Sequence, residues 1–76
     1  MTLDELGLEL KKMYSNAKQG EAVAMIHLFG IKFAKEIELS GESKTTIAKA
    51  AGIRESYGTE ISKGVKLAKF VTVKYG

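Results

Sequence analysis

The sequence contains no cysteine and no proline, and it has a single histidine, His27. Without cysteine the chain can form neither disulfides nor thiolate metal sites. A lone histidine leaves little for a metal cluster or a Ser–His–Asp arrangement. A domain of this size also hardly forms the cleft that paired catalytic carboxylates need. We therefore expect a protein that is not an enzyme, with no metal and no cofactor.

Long apolar runs are also missing. The richest run, residues 22–31, is too short to span a bilayer. The N-terminal residues carry acids where a signal peptide carries bases, and no long apolar run follows them. These observations predict a cytoplasmic protein with no membrane partner.

The composition is that of one folded domain, spanning residues 1–76. Apolar residues make up 45% of the chain and charged residues 28%, which argues against disorder. The net charge of +3 hides an asymmetry between the two halves. Residues 1–43 hold five lysines and seven acids, a net −2, whereas residues 44–76 hold seven basic residues and two acids, a net +5. A basic half is a mild indication of a polyanionic partner.

Hydrophobic spacing predicts four helices. Thr2 and Glu5 form a capping box at the start of the first. The second should run over 21–39, apolar on most of its circumference, with Gly30 marking a close crossing by another helix. A third helix over 43–51 ends at Gly52, and a fourth covers 56–69. The tail from Phe70 to Tyr75 alternates like a strand. The predicted fold class is all-α, a four-helix domain with a short C-terminal β-strand.

The stretch from Thr45 to Gly64 carries the most specific pattern in the chain. Two helices that meet steeply across a short turn need a small residue at their contact, which Ala48 provides. They also need a residue free to take positive φ at the turn, which Gly52 provides. Apolar anchors on both sides of the turn fix the pair to a core: Ile47, Ala51, Ile53 and Ile61.

This arrangement resembles the helix-turn-helix family over Lys44 to Lys63, and the corresponding unit would occupy about residues 44–69. More faintly, the whole chain is similar to small bacterial helix-turn-helix-like proteins. Gly58 departs from the pattern, because the second helix usually carries Val or Ile there; Tyr57 is positioned to fill the gap. The same spacing also occurs in helical hairpins that bind nothing, so a purely structural pair of helices remains the alternative at this point.

The resemblance implies a non-enzymatic DNA-binding module, a transcriptional regulator or DNA-targeting domain, which reads duplex DNA with the 54–69 helix. Arg54 suits the two major-groove acceptors of guanine, and serine and threonine hydroxyls can also reach bases. Lysines and helix N-termini suit phosphates. The candidate DNA-binding residues are Thr45, Thr46, Arg54, Ser56, Thr59, Lys63 and Lys66. Each charged residue in this set could equally be an ordinary exposed side chain without a function.

Two further expectations concern partners. A strand after the reading helix is how winged helix-turn-helix proteins continue, so the chain is similar to a reduced winged variant. The leucine stripe of the first helix and the lone strand at 71–75 would leave apolar surface open, which predicts a homodimer through both. The alternative function is a protein-interaction adaptor that keeps the scaffold without binding DNA.

Overall fold

The computed structural model describes residues 1–74, which form five α-helices and one 3₁₀ turn. The predicted all-α class is confirmed, whereas the predicted count of four helices is wrong. No strand occurs within the described residues. The helices are α1 (Leu3–Ser15), α2 (Ala22–Lys32), α3 (Ala34–Ser40), α4 (Lys44–Ala50) and α5 (Gly58–Leu67), with the 3₁₀ turn at Glu55–Tyr57 before α5.

The first helix begins at the capping box that the sequence predicts. The backbone N–H of Glu5 donates to Oγ1 of Thr2 at 3.2 Å, and the backbone N–H of Thr2 donates to Oε1 of Glu5 at 2.8 Å. Two otherwise unpaired N–H groups are thereby satisfied. Leu6 and Leu10 on the apolar stripe are fully buried in the core of their own chain.

The predicted second helix over 21–39 is wrong as a single element, because the chain bends at Phe33. Phe33 has φ −109° and ψ 19°, outside the helical region, and separates α2 from α3. Its ring packs against Phe29, with centroids 5.3 Å apart. After the bend Ile37 enters the core and Leu39 points to solvent. Helical spacing alone does not show the bend, because both helices are apolar around it.

The closest contact in the fold is the crossing of α2 and α5 at two glycines. A Cβ added to Gly30 would lie 2.6 Å from the carbonyl oxygen of Ile61 and 2.9 Å from Cα of Gly64. A Cβ added to Gly64 would meet the carbonyl oxygen of His27 and Cα of Gly30. The crossing that Gly30 predicts is therefore present, and it places α5 directly on the backbone of α2.

One core joins α1, α2, α3, α4 and α5. Its buried members are aliphatic or alanine side chains and one phenylalanine, and none of the residues buried within 1–74 is polar. The members are Leu6, Leu10, Ile26, Phe29, Ile37, Ile47, Ala48, Ala51 and Ile61. Because every helix contributes, the position of α5 is fixed by the whole domain.

The predicted C-terminal strand is not seen at residues 70–74, and Tyr75 lies outside the described residues. The backbone N–H groups of Phe70 and Val71 both donate to the carbonyl of Leu67, so the chain continues the last turn of α5. A strand needs a neighbouring strand to take its hydrogen bonds, and the described residues offer none. The predicted winged variant and the predicted dimer contact through this strand both require the strand, so the structure supports neither of them.

The α1 half of that interface is also changed, because the leucine stripe already lies inside the chain's own core. The exposed leucine of α1 is Leu8, which lies on the side of the helix away from the stripe. Among residues 1–74 no helix is long and apolar enough to cross a membrane.

Candidate functional site

The turn between α4 and α5 has the backbone geometry that its sequence predicts. Gly52 takes φ +79°. The N–H of Ile53 donates to the carbonyl of Ala48 at 3.1 Å, and the N–H of Gly52 donates to Lys49 at 3.0 Å. These two bonds make a Schellman motif, which ends α4 and satisfies its last carbonyls. Ala48 and Ile61 are both fully buried in the core, as close packing of the two helices requires.

The second helix of the pair begins later than predicted. Arg54 has extended backbone, residues 55–57 form the 3₁₀ turn, and α5 starts at Gly58 and ends at Leu67. The predicted span of 56–69 is too long at both ends. Arg54 and Ser56 consequently lie on the approach to α5, where side chains diverge from the regular helical spacing.

Gly58 is where the chain departs from the usual helix-turn-helix pattern, and the structure accounts for it. A Cβ at this position would lie 2.9 Å from the backbone nitrogen of Thr45 and 3.0 Å from its Oγ1. The first turns of α4 and α5 therefore touch backbone to backbone. Tyr57 beside it is half-buried and packs against the core.

Two helices joined by this turn and anchored in one core are the structural signature of a helix-turn-helix. The model of a protein family described as an HTH-like domain matches residues 2–74. The chain belongs to this HTH-like domain family. No curated protein and no solved structure matches the chain. The helix-turn-helix resemblance is confirmed, and the family match extends it from a quarter of the chain to nearly all of it.

Three of the predicted DNA-binding residues lie on one side of α5 in the HTH-like domain. Thr59, Lys63 and Lys66 are exposed and recur at helical spacing, opposite the buried positions Ile61 and Gly64. Arg54 and Ser56 are exposed just before the helix. Three of these five predicted residues therefore share one side of α5, and the other two are exposed on the segment that leads into it.

The two predicted threonines of α4 differ from each other. Thr45 is exposed and touches the start of α5 at Gly58. Thr46 is half-buried, and its N–H donates to Oγ of Ser43, which caps the helix. The Ser43 hydroxyl in turn donates to Oγ1 of Thr46 at 2.8 Å. The backbone N–H of Thr46 is thus already used within the chain.

A charged contact that sequence spacing does not reveal ties α5 to α2. Oε1 of Glu60 lies 2.7 Å from Nε2 of His27, and its other oxygen accepts from Nζ of Lys63 at 3.3 Å. The hydrogen bond with His27 lowers the pKa of Glu60, and Lys63 adds to the effect. Helical spacing alone places Glu60 outward with the reading residues, whereas the structure turns it toward α2.

A pair of tyrosines braces the entrance to α5. The rings of Tyr14 in α1 and Tyr57 are 5.8 Å apart and tilted by 56°. A side-chain hydrogen bond with Tyr57 raises the pKa of Tyr14, while the nearby charge of Arg54 acts in the opposite direction.

Neither the His27–Glu60 contact nor the Tyr14–Tyr57 contact is predictable from local spacing, because the partners are far apart along the chain. His27 and Glu60 are separated by 33 positions. The only signal was indirect, since a single histidine on a helix predicted to be central needs a polar partner when partly buried. The exposure of Leu67 and Phe70 beside the lysines of α5 was also missed.

Proposed function

We propose that this HTH-like domain binds duplex DNA and catalyses no reaction, as a transcriptional regulator or as the DNA-targeting part of a larger system. The supporting observation is the exposed surface formed by the outward face of α5 and the segment before it, which we call the reading face: Arg54, Ser56, Thr59, Lys63 and Lys66. All five side chains are exposed. An HTH-like domain presents such a face to the major groove.

The reading face divides into two parts by chemistry. Arg54, Ser56 and Thr59 stand at the start of α5, which is the part of a recognition helix that meets base edges. An arginine can bridge the two acceptors of guanine, and hydroxyls can donate or accept. Lys63 and Lys66 stand further along the helix, where ammonium groups meet phosphates. Thr45, at the adjacent start of α4, completes the phosphate-facing edge.

The internal contact of Glu60 favours this assignment. A free carboxylate beside Lys63 would repel phosphates and lower the affinity of the face for DNA. His27 takes one oxygen of Glu60 on the side toward α2. The other oxygen of Glu60 accepts from Lys63, so the carboxylate partly neutralises that lysine, whereas Lys66 has no acidic partner within residues 1–74. Glu55 is the remaining exposed acid there and would accept a hydrogen bond from cytosine.

The test is a salt titration on mixed-sequence duplex DNA. Binding must weaken linearly in log K against log salt, with a slope that loses about 0.9 for each phosphate contact removed. Replacing Lys63 and Lys66 by alanine should flatten the slope by about two such steps and weaken binding to all sequences alike.

The matched control removes the same charge elsewhere: Lys11→Ala with Lys18→Ala, two exposed lysines outside the reading face. This double variant should keep the native slope of log K against log salt to within the change expected for one phosphate contact, about 0.9. An equal loss in both double variants would mean that net charge alone drives binding. No saturable binding by the native protein at low salt would contradict the proposal.

Protein binding by the same scaffold is the second candidate. The observation that favours it is apolar surface on α5, where Leu67 is 42% and the following Phe70 81% exposed. An adaptor would cover this surface with a partner. Amide shifts at residues 54–66 on titration with DNA support the first function. If the amides of residues 54–66 do not move, DNA binding by the reading face is ruled out and the second function is favoured.

A further inference from the structure

An apolar groove lies beside the end of α5. Its volume is about 360 Å³, and it is lined by His27 of α2 together with Lys63, Lys66, Leu67 and Phe70. Leu67 and Phe70 supply its apolar wall, and the two lysines lie along it. An apolar wall flanked by two lysines is complementary to an apolar side chain with acidic neighbours. We call these five residues the α5 groove.

A second exposed feature has the complementary character. Leu39 near the end of α3 is 77% exposed, the most exposed aliphatic side chain in the described part of the chain. Glu36, Glu38 and Glu42 surround it in sequence, with Lys35 as the one cation of α3. Within residues 1–74 these three carboxylates have no hydrogen bond or ion pair. We call Leu39 with the three glutamates the α3 knob.

We propose that the α3 knob of one copy docks in the α5 groove of a second copy. Leu39 would fill the apolar floor, and the carboxylates would face Lys63 and Lys66. The ammonium of Lys66 has no hydrogen bond or ion pair within residues 1–74, so it is available. In the chain itself Leu39 does not line the groove. The contact is therefore between copies.

The geometry of this contact is head-to-tail. The knob and the groove are different surfaces, so each copy offers one of each and the association does not close at a two-fold dimer. One leucine and a few surface charges bury little area, which places the contact among weak, transient interactions. Because charges take part, higher salt should weaken it.

Two variants separate the halves of the contact. Leu39→Ala removes the knob and keeps the groove, whereas Phe70→Ala opens the groove and keeps the knob. Both side chains are highly exposed, so both variants should fold as the native protein does. By sedimentation velocity up to about 1 mM, a range suited to weak contacts, the native protein should grow in mass with concentration and each variant alone should remain monomeric.

Mixing the variants gives the decisive result. With ¹⁵N-labelled Leu39→Ala and unlabelled Phe70→Ala, amide shifts should appear at residues 63–67 of the labelled chain. With the labels exchanged, shifts should appear at residues 36–42. The mixture should stop at a 1:1 complex, because each partner has one working surface. Leu8→Ala, which truncates an exposed leucine on α1, should associate like the native protein.

Three outcomes would overturn the proposal. A native protein that stays monomeric at about 1 mM is one. The second outcome is that the Leu39→Ala or Phe70→Ala variant associates as the native protein does, or forms a closed dimer through other residues. The third concerns the ¹⁵N-labelled Leu39→Ala protein, which keeps the groove. Amide shifts at its residues 63–67 on addition of an acidic amphipathic peptide of another sequence, but not on addition of the Phe70→Ala protein, would overturn the proposal. The α5 groove shares Lys63 and Lys66 with the reading face, so a docked copy would compete with DNA. None of these measurements includes DNA, so their outcome does not depend on whether the proposed function is right.

Discussion

At the scale of single residues, the two glycines of the helix-turn-helix serve different purposes. Gly52 has open space around its missing Cβ but a φ of +79°, whereas Gly58 has ordinary helical backbone but no room for a Cβ. The first is a requirement of conformation and the second a requirement of packing. Substitutions should separate the two.

For Gly52 the shape of the side chain should decide the cost. Gly52→Val should lower the free energy of unfolding by about 1–2 kcal/mol, because a β-branched residue is poorly tolerated at positive φ. Gly52→Asn should cost less, since asparagine adopts this region more readily. Urea unfolding of both variants measures the difference. Equal losses would show that the turn does not depend on positive φ.

For Gly58 the volume of the side chain should decide the cost. Even Gly58→Ala places a methyl carbon against the backbone of Thr45, and overpacking of this kind costs about 1–3 kcal/mol. Gly58→Val should cost more again. Urea unfolding measures these costs. The control is Thr59→Ala at the exposed neighbouring position, which should change stability little. A Gly58→Ala protein as stable as the native one would contradict the close approach of α4 and α5.

At the scale of elements, the contact between Glu60 and His27 fixes one side of α5 to α2. The pKa of Glu60 is lowered from its ordinary 4.5 by His27 and Lys63, so the folded chain holds the carboxylate ionised to lower pH than the unfolded chain does. The resulting stabilisation is present above about pH 4.5 and is lost as pH falls through the lower folded pKa.

Glu60→Gln should therefore be less stable than the native protein near neutral pH, and the gap should narrow in acid. Unfolding by urea at about pH 6 and again at about pH 3 tests this, since the two values bracket the ordinary carboxyl pKa. Glu55→Gln removes the same charge from the exposed 3₁₀ turn before α5 and should leave stability nearly unchanged at the higher pH. A gap for Glu60→Gln that stays constant with pH would contradict the contact.

Elements also mark the limit of what local sequence predicts. The cap at Thr2 and the turn at Gly52 were predictable because each rests on residues within five positions of one another. The bend at Phe33 was not, because it depends on how Ile37 and Phe29 fill a core built by distant helices. Alternation at 70–74 predicted a strand, but a strand forms only where a neighbour pairs with it.

At the scale of the whole molecule, all five helices share one core, so the chain should unfold as a unit. Small single domains usually show one cooperative transition. The tyrosine contact between α1 and the 3₁₀ turn gives a local probe, and far-UV circular dichroism reports the helices together. Both should give the same urea midpoint. Because Tyr75 also fluoresces, the probe is read in Tyr75→Phe protein. An earlier midpoint for tyrosine fluorescence in this protein would mean that α1 separates from the helix-turn-helix first.

The candidate site was predictable in outline at this scale. The net charge of +5 on residues 44–76 and the spacing from Ala48 to Ile61 were enough to place a basic face on the second helix. The orientation of Glu60 and the exposure of Phe70 were not predictable, because both depend on where α2 lies against α5. Spacing assigns faces to a helix, whereas contacts between distant helices decide which side chains remain free.

The crossing of Gly30 and Gly64 has a consequence for genetics. When a larger residue damages a contact, a smaller residue across from it can usually restore the fit, and such pairs appear as second-site suppressors. Here both partners are already glycine and the atoms in contact are backbone. An inactivating Gly64→Ala allele should therefore yield no suppressor at Gly30 in a selection. Rescue should come only from changes elsewhere that stabilise the domain globally.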